Sequence, residues 1–223
     1  MAKNEPMAAV RLEAGIGGLY ASAPEPLPFA PSLHIRAFLL RRDAGNLLVY
    51  SVPGLEAAAP AIDGLGGVER QYLNHWHEAM FASDRVAAPL FVHENDRAEV
   101  AQRTSVGGRF IDRHTLNDDF EVILTPGHTS GATAYLWNGG QHRFLFTGDT
   151  IYLSHGEWVA AVLESSDRAA YIDSLELIRA LDFDVLVPWA ATVGGPYYAL
   201  TDRPDMRWRV DAILERLHHG EDR

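Results

Sequence analysis

The sequence contains no cysteine. Disulfides, thiolate zinc sites and a cysteine nucleophile are therefore excluded, and any metal ion must be bound by histidine and carboxylate side chains. Basic residues are also scarce, since 19 Lys and Arg stand against 30 Asp and Glu and give a net charge of -11. A nucleic-acid-binding protein normally carries a basic face, so we expect no nucleic-acid partner.

Long apolar runs are missing as well. No stretch approaches the roughly 18 apolar residues that a membrane helix needs, and residues 1–9 have no apolar segment behind their single lysine. We therefore expect no membrane partner, no signal peptide and a cytoplasmic location. The 223 residues are 47% hydrophobic and show no internal repeat, which predicts one domain over residues 1–223 with a substantial core.

Strand and helix signals alternate along both halves of the chain. Alternating or continuous apolar runs predict strands at 32–40, 47–52, 68–73, 89–92, 120–124, 132–137, 143–146 and 185–187. Helices are predicted at 55–62, 78–83, 96–103, 166–181 with Ser166 as N-cap, and 204–217. This order indicates an α+β fold in which two mixed β-sheets pack together with helices outside.

Three segments at predicted strand ends carry side chains of types that can bind a metal ion. These are His75-Trp76-His77, His128 and Asp149. In an extended segment residues two apart point to the same side, so His75 and His77 are expected to bind one ion together. Each segment alone is an ordinary turn or cap, but three imidazoles and one carboxylate together suit Zn²⁺, Fe²⁺ or Mn²⁺.

The order of these segments resembles the metallo-β-lactamase superfamily from about Leu33 to about Trp189. The family has a His-x-His-x-Asp-His loop, a Pro-Gly-His-Thr-x-Gly turn and a Thr-Gly-Asp. Residues 126–131 match the turn and residues 147–149 match the last motif. The resemblance implies a four-layer αββα sandwich. It also implies a first metal bound by His75, His77 and His128, with Asp149 as the carboxylate that bridges two metals in the family.

The sequence departs from the family at the second metal. Tyr50 stands where an early aspartate is expected, Ala79 and Met80 replace the Asp and His of the loop, and Trp189 replaces a late histidine. Alanine has no ligand atom and the methionine thioether is a poor ligand for a hard ion. We therefore expect at most one metal, with Met80 and Trp189 filling the vacated volume.

Two further residues are candidates for rebuilding the second site, Glu78 and His155. Glu78 is one position out of register with the missing loop aspartate, so its side chain is expected to point elsewhere. His155, in the loop after Asp149, is the better candidate. The pocket around the site is thus predicted to include Tyr50, Met80, His155 and Trp189.

Three functions remain open at this point. The first is a mononuclear hydrolase with zinc, or iron or manganese, in which catalytic Asp149 helps to cleave a small-molecule ester, thioester or lactone. The second is an iron persulfide-type dioxygenase using His75, His128 and Asp149. The third is a metal-free binding or structural protein, for which a homodimer is one option. The first is slightly favoured, because four polar residues converging without partners would be costly to retain.

Overall fold

The computed structural model describes residues 12–82 and 88–222. Its strands in chain order are β1 (Glu13–Ala14), β2 (Leu19–Ala21), β3 (Glu25–Leu27), β4 (Ala30–Ile35), β5 (Phe38–Leu40), β6 (Leu47–Val49), β7 (Arg70–Tyr72), β8 (Leu90–His93), β9 (Gly108–Phe110), β10 (His114–Leu116), β11 (Phe120–Leu124), β12 (Thr133–Asn138), β13 (Arg143–Gly148), β14 (Tyr152–Ser154), β15 (Glu157–Val159), β16 (Val185–Pro188), β17 (Ala190–Thr192) and β18 (Ala199–Leu200). The helices are α1 (Ala59–Gly64), α2 (Glu94–Ala101), α3 (Arg168–Ala180) and α4 (Arg203–His218). Two 3₁₀ helices cover Leu55–Ala58 and Trp76–Phe81.

Two large sheets form the middle of the molecule. The first has the order β1-β2-β5-β6-β7-β8-β9, and the second has the order β10-β11-β12-β13-β16-β18. Both are mixed, since β6 to β9 pair in parallel and so do β13 and β16, while the other pairs are antiparallel. The expected pair of mixed sheets with helices outside is confirmed. A third, five-stranded sheet, β15-β14-β17-β4-β3, was not anticipated.

Strand alternation in the second sheet separates two layers of core. In β13, Phe144 and Phe146 face the first sheet, while Leu145 faces the opposite way and packs with residues of α3 and α4. Successive side chains of a strand point to opposite faces, so one strand can bury apolar residues on both sides. Burial of each large apolar side chain contributes about 1.5–3 kcal/mol to the stability of the fold. The two layers of core therefore stabilise the packing of the sheets and helices.

One predicted strand is two strands in the structure. Residues 32–40 were expected to run continuously, but β4 belongs to the third sheet and β5 to the first. The chain changes sheets at Arg36, whose backbone N–H donates to the Trp189 carbonyl, and at Ala37, whose N–H donates to the Ser22 hydroxyl. Loose alternation does not distinguish one long strand from two that meet at a corner.

Two predicted helices begin at other residues in the structure. Helix α3 begins at Arg168, because the Asp167 side chain accepts from the Ala170 N–H at 3.0 Å, whereas Ser166 does not cap it. Adjacent serine and aspartate are equally good caps, so the sequence does not choose between them. The helix predicted at 78–83 is the 3₁₀ helix from Trp76. Its predicted end at Ser83, and residues 1–11, where no signal peptide was expected, lie outside the described residues.

Across residues 12–82 and 88–222, none of the helices combines the length and apolar character required to cross a bilayer.

Candidate metal centre

The first two histidines are brought together just after β7. His75 has extended backbone, with φ -153°, and serves as N-cap of the 3₁₀ helix, whereas His77 already lies in the first turn of that helix. The centroids of the two rings are 5.1 Å apart. The histidines therefore converge as predicted, but the reason given was wrong, because the segment is not an extended strand across both residues.

His128 joins them from the turn after β11. Its Nε2 lies 3.0 Å from Nδ1 of His77, and its ring centroid lies 4.7 Å from that of His75. One ligand atom from each of the three histidines lies within 4.8 Å of the others. Gly127 has φ +140°, and a Cβ there would lie 2.5 Å from the Cα of Tyr171. Only glycine allows the turn to press this closely against α3.

Asp149 completes the group from the end of β13. Its Oδ2 lies 3.5 Å from Nε2 of His75 and 3.6 Å from Nε2 of His128. The preceding Gly148 has φ +55°, and a Cβ there would collide with the side chain of Asn74. The structure thus brings all four residues that the motifs singled out into one cluster.

Hydrogen bonds orient two of the imidazole rings. Nδ1 of His128 donates to the Ala161 carbonyl at 2.7 Å, which leaves its Nε2 as an acceptor facing the cluster. Nδ1 of His75 lies 3.0 Å from Oδ1 of Asn74 and 3.2 Å from Oε1 of Glu78, which leaves its Nε2 facing the cluster too. A ring nitrogen bonded in this way presents the other nitrogen to a metal.

The donor set fits a divalent cation. Nε2 of His75 is buried and makes no hydrogen bond within the described residues, and its 3.5 Å separation from Asp149 is too long for one. A buried polar atom without a partner costs free energy, and a metal ion would satisfy it. Three imidazole nitrogens and a carboxylate are ligands that Zn²⁺, Fe²⁺ and Mn²⁺ accept.

The charges in the cluster are strongly coupled. Burial lowers the pKa of His75, but the carboxylates of Asp149 and Glu78 outweigh it and raise that pKa to about 10. The pKa of His77 falls to about 3 and that of His128 to about 4, because burial and the positive charge on His75 both oppose a further proton. Without metal the cluster therefore carries one imidazolium charge, on His75. An ion that binds Nε2 of His75 must displace the proton on that nitrogen.

Glu78 is a supporting residue that the sequence reading set aside. Its side chain does point away from the cluster's open side, but it is fully buried directly behind His75. Its Oε1 accepts from the backbone N–H of Asn74 at 2.9 Å and of His75 at 3.3 Å. A glutamate three residues after a helix N-cap is the signature of a capping box, and that signal could have identified it.

Asp96 is a second residue that the sequence reading missed. It lies in the first turn of α2, is 3% exposed, and its Oδ2 accepts from the Trp76 N–H at 2.9 Å and the Thr129 hydroxyl at 2.7 Å. Its Oδ1 accepts from the Gly131 N–H at 2.9 Å. Asp96 thereby ties the segment of His75 and His77 to the turn that carries His128. No local pattern marks such a long-range bridge.

Apolar and hydrogen-bonded groups occupy the positions of the second metal's ligands. Ala79 packs in a small apolar cluster, and Trp189 is buried with its ring centroid 5.5 Å from that of His75 and its indole N–H donating to the Ser51 carbonyl. Met80 is 43% exposed, so the expectation that it fills the vacated volume is wrong. Trp189, in contrast, is buried beside His75.

His155 does not rebuild the second site. It lies at φ +53°, is exposed, and lines a separate depression with residues 192–196. Its loop turns outward between β14 and β15, whereas the cluster lies at the carboxyl end of β13. Among the described residues the possible metal-binding group consists of His75, His77 and His128, and apart from Asp149 beside it no further acidic residue or histidine joins it.

Tyr50 connects the two halves of the sandwich beneath the site instead of lining it. Its hydroxyl accepts from the Gly148 N–H at 2.8 Å and donates to the Val187 carbonyl at 2.8 Å. Its backbone lies at φ +72°, which is unusual for a tyrosine. Tyr50 therefore holds the backbone just before Asp149.

We expect Tyr50→Phe to lower the free energy of unfolding by about 1–3 kcal/mol, because it leaves two buried backbone groups without a partner. Urea denaturation of the metal-free protein would measure this change. Tyr20→Phe, at a partly exposed tyrosine of β2, is the matched control and should be near neutral. An unchanged midpoint for Tyr50→Phe would show that the bridge does not support the fold.

A cavity of about 370 Å³ opens beside the cluster. His77, His128 and Asp149 line it, together with Met80 and Trp189 from the predicted pocket set. Tyr50 and His155 are not among its lining residues. The size is at the lower end of the range for small-molecule sites, about 300–1,000 Å³.

Comparison with known proteins gives a consistent result. A family model described as Metallo-beta-lactamase superfamily matches residues 37–190. A hydroxyacylglutathione hydrolase of Synechococcus sp. is 26% identical over 168 residues, which cover 71% of this chain and 60% of that protein. A hydroxyacylglutathione hydrolase of Pectobacterium carotovorum is 40% identical over 72 residues, which cover 32% of this chain and 26% of that protein.

Solved structures agree on the fold. A metallo-β-lactamase from Pontibacter korlensis superposes with a TM-score of 0.71 at 14% identity, covering 94% of this chain and 99% of the other. One from Elizabethkingia meningoseptica gives a TM-score of 0.63 at 15% identity, with 98% and 96% covered. At these identities the likeness establishes the architecture, and the chain spans at most 60% of the length of the two curated relatives.

Proposed function

Because this chain belongs to the metallo-β-lactamase superfamily, we propose that it is a hydrolase that cleaves a small ester, thioester or lactone. The proposed enzyme uses one divalent metal ion, and zinc is the first candidate. The observation that carries the proposal is the buried Nε2 of His75, which has no hydrogen-bond partner within the described residues and faces the other candidate ligands. Leaving this atom unsatisfied costs free energy that a bound ion would recover.

His75, His77 and His128 would hold the ion, with Asp149 beside it. When bound, such an ion lowers the pKa of water to about 7 and polarises a carbonyl oxygen. The outer nitrogens of His75 and His128 stay hydrogen-bonded to protein atoms, so both rings are fixed before substrate arrives.

Asp149 is the residue proposed to accept a hydrogen bond from the attacking water. Burial raises its pKa, but the neighbouring His75 outweighs this and lowers the pKa below its usual value. The carboxylate is thus ionised at neutral pH, and 17% of its side chain is exposed toward the cavity. In this proposal its Oδ2 accepts a hydrogen bond from the attacking water and orients it.

The curated relatives support thioester hydrolysis in particular, since both are named hydroxyacylglutathione hydrolases. They extend well beyond the part that this chain matches, so their substrate is carried over only as a candidate. The absence of second-site ligands supports one ion and not two. Without a two-metal clamp on the attacking and leaving oxygens, we expect slower turnover than a two-metal enzyme reaches.

Metal content is the first test. We expect elemental analysis of untagged protein, expressed without added metal, to find close to one zinc per chain. The zinc-loaded protein should hydrolyse at least one of a hydroxyacylglutathione thioester, an aryl ester and a lactone, and chelation should stop the reaction. Close to one iron, with oxygen uptake on a persulfide, would favour the dioxygenase alternative. No metal after loading and dialysis would refute both reactions.

A further inference from the structure

The walls of the cavity beside the metal cluster are almost entirely apolar. The β3–β4 hairpin supplies Leu27, Phe29, Ala30 and Leu33, and the chain after β15 supplies residues 160–163. Met80 and Trp189 also line it, and three of its polar groups belong to the cluster itself, namely His77, His128 and Asp149. Such a site has polar groups that can act on a substrate at one end and an apolar surface that can bind a hydrocarbon group at the other.

The rim of this cavity exposes large apolar side chains. Phe29 is 66% exposed, Met80 43% and Leu163 42%. These three are among only seven large apolar residues of the described chain with such exposure, yet they meet at one opening. Scattered exposed apolar residues are ordinary, but a cluster around a cavity marks a surface that a ligand covers.

Cationic groups are missing from the described lining of the cavity. No lysine or arginine among residues 12–82 and 88–222 lines it, and its ionisable groups are the two histidines and the aspartate of the cluster together with the Tyr152 phenol. The whole chain carries a net charge of -11. A carboxylate on the distal part of a substrate would lose its hydration here without gaining a counter-charge.

We infer that the cavity binds an uncharged, apolar acyl or alkyl group, placed between the β3–β4 hairpin and Leu163 with its carbonyl toward the cluster. The inference rests on the proposed function for what happens to that carbonyl. It goes further in excluding substrates whose chain ends in a carboxylate, and it disfavours a glutathione thioester, whose peptide part is anionic.

Binding of unreactive ligands tests this without any turnover. Acetamide, butanamide, hexanamide and octanamide present a carbonyl and an alkyl chain but resist hydrolysis, and ligand-observed NMR can rank their dissociation constants on the metal-loaded protein. We expect the affinity to rise by up to about fourfold per added methylene until the cavity is filled. On the metal-free protein, where its carboxylate has no ion to coordinate, adipamic acid, in which a carboxylate replaces the terminal methyl of hexanamide, should bind more than about tenfold more weakly than hexanamide.

Variants locate the site. Phe29→Ala and Leu163→Ala should each weaken octanamide binding by several-fold while leaving acetamide almost unchanged, because only the longer chain reaches the rim. Trp208→Ala is the matched control, since Trp208 is as exposed as Phe29 but lies on α4. Both rim side chains are exposed, so their removal should not impair folding.

The outcomes separate the two proposals. A dissociation constant independent of chain length, or adipamic acid binding as tightly as hexanamide, would overturn the apolar-chain inference whether or not the protein hydrolyses esters. Octanamide binding that depends on Phe29, in a protein with no hydrolytic activity, would uphold the apolar site and count against the proposed reaction.

Discussion

Replacing His128 with alanine is expected to remove the bound metal and hydrolysis together. The substitution deletes one of three imidazole ligands, and its loss should cost more than the roughly 10- to 100-fold in metal affinity that outer residues contribute. Elemental analysis after dialysis should therefore find well under one ion per chain, and kcat/KM for the best substrate should fall by at least about a hundredfold.

The His128 variant also loses the hydrogen bond from Nδ1 to the Ala161 carbonyl, so a folding defect has to be separated from a ligand defect. His77→Ala serves this purpose, because within the described residues the His77 ring hydrogen-bonds only to His128. It should lose metal to a similar degree with an unchanged circular dichroism spectrum.

The control for both variants is His155→Asn. His155 is exposed, lies outside the cluster and has a positive φ that asparagine tolerates. Metal content equal to wild type in the His155 variant and lost in the other two would place the ion at the three histidines. Retention of a full equivalent by His128→Ala would contradict the site.

Short motifs with a local physical meaning were the predictable part of this protein. Gly127 and Gly148 each precede a functional residue, and each adopts a positive φ with no room for a Cβ. The sequence could therefore indicate where His128 and Asp149 leave their strands. The layered fold followed from apolar runs, since strands such as β13 are buried on both faces.

Contacts between distant segments were not predictable in the same way. Asp96 supports the site from a helix 20 residues after Trp76 and 33 before Thr129, and nothing in its neighbourhood signals either contact. The hairpin that walls the cavity was likewise missed, because residues 32–40 read as one strand. Because the chain changes sheets at Arg36, the hairpin belongs to the third sheet, and its Phe29 lines the cavity beside the histidine cluster.

Glu78 lies outside the proposed ligand set but is expected to affect metal binding. Its carboxylate is fully buried, contacts Nδ1 of His75 at 3.2 Å and accepts two backbone N–H groups. A carboxylate behind a ligating histidine fixes the ring and makes its other nitrogen a better donor. Burial raises the pKa of Glu78, while the hydrogen bond to His75 acts in the opposite direction.

We expect Glu78→Gln to fold but to bind metal about 10- to 100-fold more weakly. The glutamine oxygen can still accept from the backbone of Asn74 and His75, so the 3₁₀ helix keeps its cap, whereas the negative charge behind His75 is lost. Competition with a zinc-binding dye would measure the affinity, and Glu157→Gln on the exposed edge of β15 is the matched control.

Glu78→Ala should fail in a different way. It removes the acceptor as well as the charge, so two backbone N–H groups are buried without their partner and the positive charge on His75 loses one of its two carboxylates. Breaking comparable buried pairs costs about 3–5 kcal/mol. Urea denaturation of the metal-free variant should show this loss, whereas Glu78→Gln should lose less. If glutamine bound zinc as tightly as glutamate, the side chain would be acting as a helix cap alone, and the orientation of His75 would have to come from Asn74.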